Sequence, residues 1–259
     1  MGVLKKQIKN LIETLSGYDI ERLATGSIAF VNNKKRAEAW FSYNAQLRTI
    51  AEKFQINCVL DVGANEGQFA QKIRHLFPDQ RIVSFEPVAT VFNKLAAAAA
   101  SDPLWQVHNL ALGSQATTRT MNVSDHTVFS SLLRTNEYCI SHFGEQALVK
   151  SEELVTIRRL DEIWDDIVPD PKDTKIFLKM DTQGFDTEVF RGLGERLGHV
   201  FALQTEVSLI SIYEEMPHWT DIMPIYEDAG FKVVGMFPVN RDSDKIIEYD
   251  CLLARADGK

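Results

Sequence analysis

Val59-Leu60-Asp61-Val62-Gly63-Ala64-Asn65-Glu66-Gly67 is the stretch on which the reading of this chain turns. Val59, Leu60 and Val62 make a short apolar strand, with Asp61 near its end. Gly63 to Gly67 then turn the chain into a helix that begins near Gln68, carries Phe69, Ile73 and Leu76 on its inner face, and stops at Pro78. A strand, a glycine turn and a helix bring backbone N–H groups and a helix N-terminus against a ligand. The glycines let the backbone approach closely where a Cβ would collide with the ligand or the turn.

The spacing narrows the ligand. A dinucleotide site uses G-x-G-x-x-G, so that a pyrophosphate lies on the helix end. Here only Gly63 and Gly67 are present, and Asp61 stands two residues before the first. That carboxylate would repel a phosphate and attract an ammonium group. Arg81–Phe85 reads as the next strand and runs into Glu86-Pro87. A carboxylate at the tip of the second strand can accept both hydroxyls of a ribose. A ligand with a ribose and an amino acid but no phosphate fits S-adenosylmethionine. The turn by itself would suit other α/β proteins as well; Glu86 is the residue that favours a nucleoside.

The 259 residues suffice for one large α/β domain, with or without an N-terminal addition. The formal net charge is −8 and no block of five basic residues occurs, which speaks against a broad nucleic-acid footprint. Cys58, Cys139 and Cys251 are odd in number, far apart and outside any C-x-x-C spacing; two lie in apolar strand-like runs and read as core thiols, which suits a cytoplasmic protein and offers no disulfide framework. No apolar run approaches the length of a membrane span. Lys5, Lys6 and Lys9 precede no continuous apolar segment, so the N-terminus does not read as a secretory signal.

Two amphipathic helices are expected before the first strand, at residues 4–15 and 36–54, with a polar turn over Thr25–Lys35 between them. They define an N-terminal helical extension, residues 1–54, packed on a core of residues 55–259. The first helix could instead serve a dimer or a membrane surface. After Glu86-Pro87 come a helix with Val91, Phe92 and Leu95 that ends at Asp102-Pro103, a strand Trp105–Asn109, an added strand Thr117–Val123 and a polar loop Ser124–Leu133. Leu154–Leu160 reads as a strand, Asp161–Ile167 as a short helix and Lys175–Asp181 as a strong strand. A helix with Val189 and Phe190, a strand Val200–Glu206, a helix Trp219–Ala229 and strands Phe231–Phe237 and Tyr249–Ala254 complete the chain. The alternation through residues 58–206 predicts a parallel sheet with helices on both faces. Its ligand crevice should lie outside the carboxyl ends of the strands, where Asp61, Glu86, Asn109, Asp181 and Glu206 all fall.

Asp61-Val-Gly-Ala-Asn-Glu-Gly67 followed by Phe85-Glu-Pro87 resembles the class I S-adenosylmethionine-dependent methyltransferases. Three further stretches narrow the resemblance: Asn109-Leu-Ala-Leu-Gly113, Ser130-Ser-Leu-Leu133 and Leu178-Lys-Met-Asp-Thr-Gln-Gly-Phe-Asp-Thr-Glu-Val-Phe-Arg-Gly192. In this order they resemble the FkbM family, mostly O-methyltransferases acting on hydroxyls of sugars or secondary metabolites. The likeness covers roughly residues 55–255. Met180 and Thr182 depart from the family's frequent Ile and Val, and Asp186 stands where Glu is common. The resemblance implies a Rossmann-like, seven-stranded, mostly parallel α/β sheet with the last strand antiparallel, plus an added β-segment. It also implies site residues. Asp61, Gly63, Ala64, Asn65 and Gly67 would line the methionine end of the cofactor. Glu86, with Pro87 beside it, would hold the ribose, Asn109 and Ala111 would border the adenine, and Ser130 and Ser131 would cover the cofactor. Asp181 would face the sulfonium and the acceptor.

Methyl transfer from a sulfonium is an in-line displacement that needs alignment and removal of a hydroxyl proton. Asp181 is the first candidate for base or acceptor anchor, its alternative being a cap for the helix after Gln183. Glu206 is the second, its alternative a solvated strand end; Lys179 flanks them or forms a salt bridge. Asp181 and Glu206 could share a divalent cation, but two acids are an incomplete site and no His pair has ligand spacing, so no metal is assigned. His126, His142 and His218 read as surface histidines, with a role as base the lesser alternative. The expected activity is O-methylation of a sugar hydroxyl on a polysaccharide or glycolipid precursor. A small secondary metabolite as acceptor and a catalytically silent nucleoside-binding subunit are the alternatives. The expected partners are a small-molecule or glycan acceptor and no nucleic acid; a homodimer is compatible with the sequence.

Overall fold

The computed structural model describes residues 18–22, 28–168 and 173–256, with side chains described from residue 43 onward. The chain divides into two compact units, residues 1–49 and 50–259. The first contains an antiparallel hairpin of β1 (Tyr18–Arg22) and β2 (Ile28–Asn32), in which Tyr18 faces Asn32. Helix α1 (Asn33–Phe54) follows directly and ends inside the second unit. The polar turn expected over Thr25–Lys35 is thereby corrected: Ile28–Asn32 is a strand and Asn33 already begins the helix. Ile28, Phe30 and Val31 favour extended backbone, and pairing with β1 satisfies its N–H and C=O groups. The helix expected at residues 4–15 lies outside the described residues.

The second unit runs β3 (Cys58–Val62), α2 (Gln68–Leu76), β4 (Arg81–Phe85), α3 (Ala89–Ala99), β5 (Trp105–His108), β6 (Ala111–Leu112), β7 (Thr117–Ser124), α4 (Glu137–Phe143), β8 (Val149–Arg158), α5 (Trp164–Ile167), β9 (Ile176–Met180), α6 (Asp186–Arg191), β10 (Val200–Ser208), α7 (Trp219–Asp228), β11 (Phe231–Asp242) and β12 (Lys245–Arg255). Seven strands form one sheet in the order β11-β12-β10-β9-β3-β4-β5. The pairs β3–β4, β4–β5, β3–β9 and β9–β10 are parallel, and β12 is antiparallel to both its neighbours. This is the expected Rossmann-like sheet with its last strand reversed. The chain builds outward from β3 through β4 to β5 and then returns to β9 on β3's other side, so the β3/β9 boundary is the topological switch point. The added segment is a separate three-stranded sheet, β6-β8-β7.

Strand alternation separates two faces. Cys58, Leu60 and Val62 of β3 and Ile176, Leu178 and Met180 of β9 enter a core with Trp164, Phe190 and Tyr226. Asp61, Phe177 and Lys179 take the opposite face, where α2 lays the Phe69 ring on Phe177 at 6.4 Å. A second, smaller core joins Phe129, Cys139, Ile212, Tyr213 and Ile247, tying α4 to the chain after β10 and to β12. Helix α4 is absent from the sequence reading. Its signals are the Asn136 side chain accepting from the Cys139 N–H and Gly144 at φ 67 beyond its end.

Candidate active site

The site grows from the end of β3. Gly63 has φ 72, and a Cβ there would stand 1.9 Å from the backbone oxygen of Asp181. Gly67 has φ 93, and its Cβ would press 2.7 Å from the Trp105 ring. Both glycines are thus required by left-handed backbone and by close approach of neighbouring strands. Between them Asn65 is also left-handed, at φ 48. Its N–H donates to Glu86 Oε2 at 3.0 Å, and Val88 N–H donates to Glu86 Oε1 at 2.9 Å. Each carboxylate oxygen therefore takes one backbone N–H and keeps a further acceptor direction. Burial pushes the Glu86 carboxyl up to about 7, against these N–H bonds, which favour its charged form.

Beneath the turn runs a polar row. Ser84, Asp61, Lys179 and Gln204 sit side by side in register on β4, β3, β9 and β10, and all four are buried. Trp105 Nε1 donates to Ser84 Oγ at 2.9 Å, and Ser84 Oγ donates to Asp61 Oδ2 at 3.2 Å. Lys179 Nζ lies 3.1 Å from Asp61 Oδ1 and 3.4 Å from Asp181 Oδ2, and donates to the Gly63 carbonyl at 2.8 Å. Burial of Lys179 opposes its charge, but Asp61 and Asp181 outweigh it and raise its pKa. Lys179 is thus a fixed cation, which does not suit the transfer of a proton. Asp61 is turned inward to Ser84 and Lys179, so the ammonium it binds is the protein's own.

Asp181 emerges past the end of β9 with its side chain 40% exposed, more open than Asp61 or Lys179 beside it. Gln183 Nε2 donates to Asp181 Oδ1 at 2.9 Å and to Glu206 Oε2 at 2.8 Å. Tyr213 OH donates to Gln183 Oε1 at 2.6 Å. Burial, and then the charges of Glu248 and Asp181, push the Glu206 carboxyl well above its ordinary range. Asp186 ties this end together, accepting from Thr182 N–H at 2.9 Å, Thr205 Oγ1 at 2.8 Å and Glu206 N–H at 3.0 Å.

The other expected contacts divide. Asn109 Nδ2 donates to the carbonyls of Glu86 and Pro87, both at 2.9 Å, so it shapes the loop after β4. Ala64 is buried in the turn and Ala111 is buried in β6. Ser130 Oγ accepts from Ser124 N–H, while Ser131 Oγ donates to the Gln183 carbonyl and accepts from Leu133 N–H. Both hydroxyls are bonded to backbone and hold the loop. His218 caps α7 and His142 sits by Asp242, neither bonded to the carboxylates above.

Ser84, Trp105, Tyr213, Glu248 and Asp250 were not anticipated. Glu248 and Asp250 lie near the start of β12, and because β12 is antiparallel they stand beside Ser208 and Glu206 at the rim where the parallel strands end. The reversed last strand was the signal that could have found them. Among the described residues no group of three or more His, Cys, Asp or Glu could hold a metal ion.

The sequence matches the methyltransferase FkbM domain over residues 61–233. The chain belongs to that family, and its methyl donor is S-adenosylmethionine. A search of curated proteins found no match. Among solved structures, magnesium protoporphyrin IX methyltransferase from Synechocystis PCC 6803 with bound S-adenosylmethionine is similar at TM-score 0.45 and 10% identity, over 97% of each chain. Fibrillarin of Aeropyrum pernix with natively bound S-adenosyl-L-methionine is similar at TM-score 0.44 and 11% identity, over 76% of this chain and 66% of that one. The residues present fit the donor in that each Glu86 oxygen retains acceptor capacity for a ribose diol.

Proposed function

We propose that the protein transfers a methyl group to a hydroxyl, with Asp181 taking the proton and a sugar as acceptor. The observation that carries this reading is the Asp181 carboxylate. It is half-exposed at the β3/β9 switch point, held on one oxygen by Gln183 and on the other by Lys179. Bound S-adenosylmethionine supplies an electrophilic methyl on a positively charged sulfur. Asp181 would take the proton that the acceptor hydroxyl gives up as its oxygen is methylated. Glu206, set back behind Gln183 with its proton held more tightly, offers a hydrogen-bonding partner to a second hydroxyl. Carboxylates accept hydrogen bonds from sugar hydroxyls, whereas they repel phosphates and sulfates. The net charge of −8 and the absence of a basic block weigh against nucleic acid as acceptor.

The test is release of S-adenosylhomocysteine from S-adenosylmethionine in the presence of three panels: neutral sugars and glycans, small hydroxylated metabolites, and short RNA. Turnover confined to the first panel supports the proposal. Turnover on the second moves the acceptor to a secondary metabolite. Calorimetric binding of the donor with no turnover on any panel favours a silent binding subunit.

A further inference from the structure

Gln183 sits three residues beyond the end of β9 with φ 54, a left-handed conformation that a non-glycine residue holds only under strain. The backbone there is held by the Ser131 hydroxyl, which is buried and donates to the Gln183 carbonyl at 2.7 Å. The side chain is fully engaged. Its two N–H donors go to two different carboxylates, Asp181 at 2.9 Å and Glu206 at 2.8 Å. Its oxygen accepts from Tyr213, whose ring is buried in the small core of Phe129, Cys139, Ile212 and Ile247. A primary amide suits this place because it offers two donors on one side and an acceptor on the other. A carboxylate would set a further negative charge beside Asp181, and an apolar side chain would leave both acids without their shared donor.

We infer that Gln183 is a positioning residue, one that fixes the direction of the Asp181 carboxylate while Tyr213 fixes Gln183. The inference rests on the reading of Asp181 as the group that faces the acceptor hydroxyl. The charges facing Asp181 are Lys179 on β9, Glu206 on β10, Glu248 and Asp250 on β12, and Asp186 on α6. Gln183 is the neutral spacer among them. With Lys179 on Oδ2 and Gln183 on Oδ1, the carboxylate is gripped at both oxygens and cannot rotate without losing one partner. Tyr213 links this grip to α4 and β12, so the packing of the small core sets the geometry of the acid.

The experiment follows the Asp181 carboxyl by carbon-13 NMR in the full-length protein loaded with S-adenosylhomocysteine, the resonance being assigned with Asp181→Asn. In Gln183→Met the Asp181 titration midpoint should rise by roughly half a pH unit or more, because an N–H bond to the charged form is lost. Gln183→Glu should raise it further, and Tyr213→Phe should move it in the same direction by less. Affinity for S-adenosylhomocysteine within about twofold of wild type certifies that each variant is folded. A midpoint that stays put in folded Gln183→Met, or in folded Tyr213→Phe should the first variant not fold, overturns the inference. Methyl transfer by Asp181→Asn is read separately. If that variant keeps its turnover while the midpoint still moves in Gln183→Met, the assignment of Asp181 as base fails and the positioning of its carboxylate by Gln183 stands.

Discussion

Lys179 and Asp61 face each other in register across β9 and β3, with Nζ 3.1 Å from Oδ1 and both side chains withdrawn from solvent. The pair lies beneath the Gly63–Gly67 turn. The same ammonium reaches the Gly63 carbonyl at the base of that turn and Asp181 past the end of β9. One buried cation thus links the two halves of the site.

Removing that cation should be severe. Lys179→Met leaves the Asp61 carboxylate buried without its counter-charge, and breaking a buried pair from one side costs about 3–5 kcal/mol. The expected result is a lower urea midpoint with an unchanged slope. Asp61→Asn combined with Lys179→Met should recover part of the loss, and a double-mutant cycle by denaturant unfolding measures the coupling. Purely additive single losses would contradict the pairing.

Gly63→Ala should abolish binding of S-adenosylmethionine. Its Cβ would lie 1.9 Å from Asp181 O, and its backbone would be left in a region that alanine rarely adopts. The turn must move, and β3 and β9 must part at the switch point. Calorimetry should show no donor binding at concentrations that saturate the wild type.

Donor affinity should depend on pH through Glu86. Its carboxyl is raised by burial from 4.5 to about 7 in the folded protein. The folded state therefore binds the proton more tightly than the unfolded state. That contribution to stability is fully present below about pH 4.5 and is lost as pH rises through about 7. A ribose diol needs the ionised form as acceptor, so affinity should fall as pH drops from 8 to 6. Glu86→Gln should bind the donor more weakly and lose this dependence, read by isothermal titration across that range.

Asp181→Asn should separate binding from chemistry. Loss of a general base typically costs 10²–10⁴-fold in rate. Donor affinity should stay within a few-fold, because Glu86 and the glycine turn are untouched. Single-turnover assays with an active acceptor, beside calorimetry with S-adenosylmethionine, make the comparison. Equal losses in binding and rate would assign Asp181 to the cofactor instead.

The sheet was legible because its strands announce themselves. Val59–Val62, Ile82–Phe85 and Ile176–Met180 are short apolar runs closed by acids or glycine turns. What was hidden depends on pairings distant in sequence. Nothing local to Asp61 reveals that Lys179, 118 residues away, will stand beside it; only the β3–β9 register does. Asp61 therefore reads from sequence as a ligand-facing acid when its partner is internal. Tyr213 looks like an ordinary loop aromatic until the small core brings its hydroxyl to Gln183. Val149–Glu153 escaped as strand because Lys150, Glu152 and Glu153 mask the pattern, and pairing with β7 overrides that composition. Leu154–Leu160 was accordingly drawn five residues short at its start.

The reversed direction of β12 makes the rim sensitive to hairpin length. Glu248 and Asp250 share one side of that strand, with Ile247, Tyr249 and Cys251 on the other. Adding or deleting a single residue at the Ser243-Asp244 bend, if it slid β12 along β10, would exchange the two carboxylates for Ile247 and Tyr249 or for Tyr249 and Cys251, according to its direction. The acidity of this end of the cleft is thus written partly in the spacing of a turn that carries none of its chemistry.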